Sequence, residues 1–160
     1  MPNDITVPCG GGLVNLRVGA IIMRDGRVLM VGNGRHDYLY SVGGRIQFGE
    51  TAGEAVVREV EEETGRRLEI DRLGFVHENY FYGDMPWNEG MLIYELAFYF
   101  YMKTPEDFEP VCHSVIEDGT EEFLEWVSLD EPRTIYPGFF REALTRPERT
   151  VRYFTTDERQ

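Results

Sequence analysis

Glu59, Glu62 and Glu63 stand at the i, i+3 and i+4 spacing that gathers side chains on one face of an α-helix. At about 100° per residue, Val56, Val57 and Val60 occupy the neighbouring arc and are expected to face a core, while Glu54, Arg58 and Glu61 point elsewhere. Carboxylates so placed repel one another by about 0.2–0.5 kcal/mol per pair in water, and by more when partly buried. A hard divalent cation reverses that sign, because Mg²⁺ accepts carboxylate oxygens and completes its octahedron with phosphate oxygens and water. On its own, such a cluster more often marks a solvated helix face, so the surrounding residues must decide.

The helix that would carry the cluster has its own start and stop signals. Thr51 with Glu54 three residues later is a capping-box pair, and Gly65 is a stop, which predicts a helix over residues 51 to 64. Residues 14 to 31 read as two β-rich runs around an Asp25-Gly26 hairpin turn. Residues 38 to 44 form a third short run, which is expected to end at Gly43-Gly44 and give way to a loop. Residues 68 to 82 and 91 to 102 read as central strands, the second apolar enough to be buried on both faces. Residues 123 to 129 predict a further strand, 137 to 145 a helix with proline in its first turn, and 151 to 155 a terminal strand. Helices too few for a fully alternating βαβ array point to an α/β fold with a mixed β-sheet sandwiched between helices.

Composition narrows the setting. A length of 160 residues, with 42% hydrophobic content and no repeat or linker, predicts one domain over residues 1–160. No run approaches the roughly 20 apolar residues of a membrane span, and the start lacks a signal-peptide pattern, so a cytoplasmic protein is expected. A formal net charge of −13 argues against nucleic-acid polymers and anionic membranes as partners. A small phosphorylated ligand would then need local cations. Arginine outnumbers lysine fifteen to one and suits phosphate, although codon bias is the more ordinary source of that ratio. Cys9 and Cys112 lack metal or disulfide spacing and are expected to be two buried thiols.

The segment from Gly44 to Arg66 resembles the box of the Nudix hydrolase family, Gly-x5-Glu-x7-Arg-Glu-U-x-Glu-Glu-x-Gly-U, with U a bulky aliphatic residue. Gly44, Glu50, Arg58, Glu59, Val60, Glu62, Glu63 and Gly65 fall in register, and Arg66 alone departs from the pattern. The resemblance implies an α/β/α sandwich and a loop-helix-loop box, in which Gly44 shapes the backbone turn entering the box and belongs to the metal site, while Glu59, Glu62 and Glu63 bind Mg²⁺, with Mn²⁺ as the alternative. It also implies that Arg58 pairs with a neighbouring carboxylate, Glu50 being the candidate. The implied reaction is hydrolysis of the diphosphate link of a nucleoside diphosphate derivative or a nucleoside triphosphate, oxidised forms included. A glutamate must take the proton of the attacking water. Glu62 and Glu63 rank ahead of the later acidic residues Glu117, Asp118, Glu121 and Glu122 for that role.

Beyond the box, the 77–82 segment, with Tyr80, and Trp87 offer flat surfaces for a nucleobase, and Arg35 and Arg45 could hold phosphate. His36 and His113 read as surface or structural histidines. The aromatic-rich sheet is compatible with a homodimer. The rival reading is a Nudix-like module that binds a nucleotide without cutting it.

Overall fold

The computed structural model describes residues 3–112, 115–116 and 119–160, so His113, Glu117 and Asp118 lie outside the described residues. β2 (Gly12–Ile21), β3 (Met23–Arg24) and β4 (Arg27–Asn33) form the expected hairpin, turning at Asp25 and Gly26 with φ of 51° and 72°. Positive φ at both central residues gives a turn whose twist matches the strands it joins.

β5 (His36–Arg45) corrects one expectation, because it runs on through Gly43 and Gly44 and pairs them with Gly19 and Val18 of β2. A Cβ at Gly43 would lie 2.1 Å from the Val18 carbonyl oxygen, and φ there is 152°. The glycine therefore serves close approach of two strands, not a turn.

α1 (Ala52–Thr64) begins at the Thr51 capping box and ends where Gly65, in the left-handed region, donates its N–H to the Glu61 carbonyl. Val56 and Val60 are buried, and each contributes on the order of 1.5–3 kcal/mol relative to exposure. Val57 is half-buried.

β6 (Ile70–Tyr82) pairs antiparallel with β7 (Leu92–Met102), and β7 pairs parallel with β2, which places β7 inside the sheet. β8 (Glu122–Ser128) lies antiparallel on β4, and β10 (Arg152–Asp157) parallel on β6. Two short edge strands were not anticipated, β1 (Thr6–Cys9) on β2 and β9 (Ile135–Tyr136) on β5. They are too short for alternation to show. α2 (Phe140–Ala143) is shorter than the expected helix over 137 to 145, since Tyr136 is held extended in strand pairing just before Pro137 and Gly138 is a poor helix former. The thiols also correct the reading: Cys9 is exposed on its edge strand and Cys112 only partly covered.

Alternation along β2 sends its side chains into two cores. Val18 and Ala20, with Ile22 just past the strand, join Val42, Val56 and Val60 beneath α1. Ile21 joins Leu39, Phe75, Tyr99, Phe140 and Leu144 on the other side, beneath α2. The result is an α/β/α sandwich around a mixed sheet. Among the described residues no helix is long and apolar enough to cross a membrane.

Candidate active site

α1 lies against β5, and that contact sets the glutamates over the two glycines. The Glu63 carboxylate accepts the Gly43 N–H at 3.3 Å. A Cβ at Gly44 would stand 2.4 Å from the Glu59 carboxylate, so a residue without a side chain leaves that carboxylate its place. Glu62 sits at the solvent edge with its side chain 58% exposed. Glu61 turns to the outer side and meets Arg67 at 3.3 Å.

Arg58 departs from the simple wheel reading because its long side chain swings back into the cluster. It bonds Glu50 through Nε at 3.0 Å and Nη2 at 2.6 Å, and its Nη1 reaches Glu59 at 2.7 Å and Glu62 at 3.3 Å. Its Nη2 also donates to the Arg45 carbonyl at 3.1 Å. Hydrogen bonds from Arg58 hold the Glu50 carboxyl below its usual range.

The box carboxylates are held where charge is costly. Glu63 is only 8% exposed, and burial, followed by the facing Glu122 and Glu59 carboxylates, pushes its pKa well above the usual value. Arg17 and the Gly43 N–H oppose that shift without cancelling it. Burial also raises Glu59, against the pull of Arg58.

Four side chains from outside the box contribute. Glu122 opens β8 and accepts a hydrogen bond from the Tyr40 hydroxyl. Asn33 fixes that tyrosine from behind: its Oδ1 accepts the Arg35 and His36 N–H groups at 2.9 and 3.0 Å, leaving Nδ2 to donate to Tyr40 at 3.3 Å. Half-buried Arg17 on β2 faces Glu95, Tyr99, Glu63 and Glu59. Burial works against its charge, and these neighbours more than offset the cost. Glu122 was among the acidic residues singled out in the sequence; Arg17 and Tyr40 carried no local signal there.

Arg17 and Tyr40 also line a cavity of about 570 Å³, together with His77, Asn79, Glu95 and Tyr99. Arg35, Arg45, Tyr80 and Trp87, the residues first considered for substrate binding, are not among those that line it. Arg45 and Trp87 stack on each other with the guanidinium 5.2 Å from the ring centroid, and Arg45 also reaches Asp4 at 3.8 Å. Tyr80 occupies the opposite face of β6 from the cavity-lining His77, Asn79 and Phe81, and packs against Tyr94 and Arg159. Arg35 stands at the β4–β5 turn, where its charge acts on Tyr38.

A NUDIX domain model matches residues 14–147. A MutT-like protein of Streptomyces ambofaciens is 38% identical over 61 residues, a stretch that spans only 40% of that protein's length and 38% of this chain. The MutT NUDIX hydrolase of Burkholderia pseudomallei superposes with a TM-score of 0.57 at 29% identity, covering 78% of this chain and 91% of that one. The mutator MutT protein of Bacillus halodurans has the same fold, with a TM-score of 0.64 at 21% identity over 90% of this chain and 91% of its own. With the family model spanning most of the chain and the box side chains gathered between α1 and β5, the chain belongs to the NUDIX family of hydrolases.

Proposed function

We propose that the chain, working as one domain, is a divalent-metal-dependent pyrophosphohydrolase that cleaves the diphosphate link of a nucleoside diphosphate derivative or a nucleoside triphosphate. The observation that carries this reading is the buried Glu63 carboxylate, faced by Glu59 and Glu122 and by Arg17, which lines the cavity.

That donor set fits a hard cation. Carboxylates confined together at the expense of their charged forms are what Mg²⁺ or Mn²⁺ would relieve. Among the described residues no three acidic, histidine or cysteine side chains have closed to metal-ligand spacing, and Arg58 engages both Glu59 and Glu62. Glu59, Glu63 and Glu122 would hold the ion, with Glu62 at the exposed edge and Gly44 leaving them room. When bound, the metal supplies neutralisation of phosphate charge and a more acidic coordinated water.

The chain's own groups supply the rest. Arg17 lines the cavity and faces both Glu95 and the box carboxylates, so it can hold a phosphate oxygen against an otherwise acidic surface. Glu62 is the box carboxylate most open to water, so it is assigned as acceptor of the attacking water's proton. Arg58 and Glu50 orient the box glutamates. The cavity receives the part of the substrate that is not cut.

A module that only binds nucleotide has no need of mutually repelling carboxylates at one spot. The deciding experiment is a hydrolysis screen over a nucleotide panel with Mg²⁺, reading phosphate and pyrophosphate release. Turnover that stops on chelation and returns with added metal is expected; tight binding without turnover would make the chain a binding module.

A further inference from the structure

Tyr80 belongs to a cluster that the cavity does not use. Alternation along β6 sends Val76, Glu78 and Tyr80 to the face opposite the cavity-lining His77, Asn79 and Phe81. Through Phe98 and Val18 this is the face that α1 covers at β2 and β5. At its β7–β6–β10 end the face is open, and Tyr153 there is 61% exposed.

Glu78 is the centre of the cluster. Its carboxylate accepts the Tyr94 hydroxyl of β7 at 2.8 Å through one oxygen and the Tyr153 hydroxyl of β10 through the other. Bonds from Tyr153 and Tyr94 hold the carboxyl below its usual range, so the charge is kept. Tyr80, two residues on, packs against Tyr94 with ring centroids 5.0 Å apart. Its ring also carries a cation: the Arg159 guanidinium of the C-terminal tail lies 4.1 Å from the centroid. The chain thus seats a positive group on this surface, as the negative face of an aromatic ring favours.

The kind of cation that suits the site follows from the hydrogen bonds. Arg159 brings its own acceptor, since Asp157 takes its Nε at 2.9 Å and its Nη2 at 2.6 Å. A ligand without such a companion meets tyrosine rings and a carboxylate whose two oxygens are each already engaged. A primary ammonium brings three donors that need partners, whereas a quaternary ammonium brings none. We propose that Glu78, Tyr80, Tyr94 and Tyr153 form a binding site for a quaternary ammonium group, with Arg159 as the chain's own occupant that the ligand displaces from Tyr80. The site lies across the sheet from the cavity and needs no nucleotide.

The probe is choline, compared with its neutral isostere in which a quaternary carbon replaces the nitrogen. Saturation-transfer NMR of the methyl protons reads binding to the whole chain in about 0.15 M NaCl, where diffuse attraction to a net charge of −13 is screened. Choline should bind at least about tenfold more tightly than the isostere. Arg159→Ala, which frees the Tyr80 ring, should tighten choline by about threefold or more, and Glu78→Gln should weaken it by about tenfold. Glu61→Gln makes the same charge change beside Arg67, away from the cluster, and should leave choline binding unmoved. An Nε-trimethyllysine peptide tells the sources apart: tighter binding than choline assigns a methylated protein side chain, and weaker binding a small-molecule ammonium. Equal binding of choline and its isostere, or choline binding that Glu78→Gln leaves unchanged, would overturn the site. Circular dichroism shows whether Glu78→Gln folds, and if it does not, the isostere comparison and Arg159→Ala decide.

Discussion

Arg58 and Glu50 form a two-point ion pair, with Nε 3.0 Å from one carboxylate oxygen and Nη2 2.6 Å from the other. The remaining guanidinium nitrogen is thereby aimed at Glu59, 2.7 Å away. Only a planar fork makes all three bonds from one side chain. Arg58→Lys keeps the charge and loses that geometry. Steady-state kinetics should show kcat reduced by about 10- to 100-fold with a smaller change in KM, as for other residues that orient ligating groups.

Glu62 and its neighbour Glu61 are a matched pair of controls, since one borders the cluster and the other meets Arg67 on the outer surface. Glu62→Gln should lower kcat by about a hundredfold or more while leaving the fold intact, because the amide can neither take the proton nor supply the charge. Glu61→Gln should stay within about twofold of the parent rate. Equal losses in the two variants would remove Glu62 from the reaction.

Tyr40 acts on the site through Glu122, held in turn by Asn33. Tyr40→Phe removes one hydroxyl and little volume, so Glu122 loses its positioning bond without a cavity forming. We expect kcat to fall by about tenfold and the Mg²⁺ concentration for half-maximal activity to rise, with fold preserved by circular dichroism. An unchanged metal requirement would show that Glu122 is not held for this purpose.

His77 sets a pH dependence of stability whose sign can be worked out. Burial lowers its pKa from 6.5 to about 4, so between those values the unfolded chain binds a proton that the folded chain does not. Stability should therefore fall as pH drops from 6.5 towards 4, and this contribution should be flat above 6.5. Urea unfolding across that window should show a shallower decline in His77→Gln than in the parent. Parallel curves would mean that the histidine already carries its proton in the fold.

α1, its capping box, its glycine stop and the spacing of its glutamates were legible before any fold was known, because helix caps and i, i+3, i+4 neighbours are local relations. The Asp25-Gly26 turn was legible for the same reason. Tertiary structure decided what depends on strands distant in the chain. It carried β5 through Gly43 and Gly44, because pairing with β2 needs a close approach that a local reading takes for a turn. It turned Asn79 towards the cavity and Tyr80 away, since alternation states that neighbours face opposite sides but not which side is the pocket. It set Arg17, Tyr40 and Glu122 beside Glu63, from strands that only sheet pairing unites. It also stacked Arg45 on Trp87 and brought Asn79 beside Glu95, residues 16 positions apart that are neighbours only through the β6–β7 register.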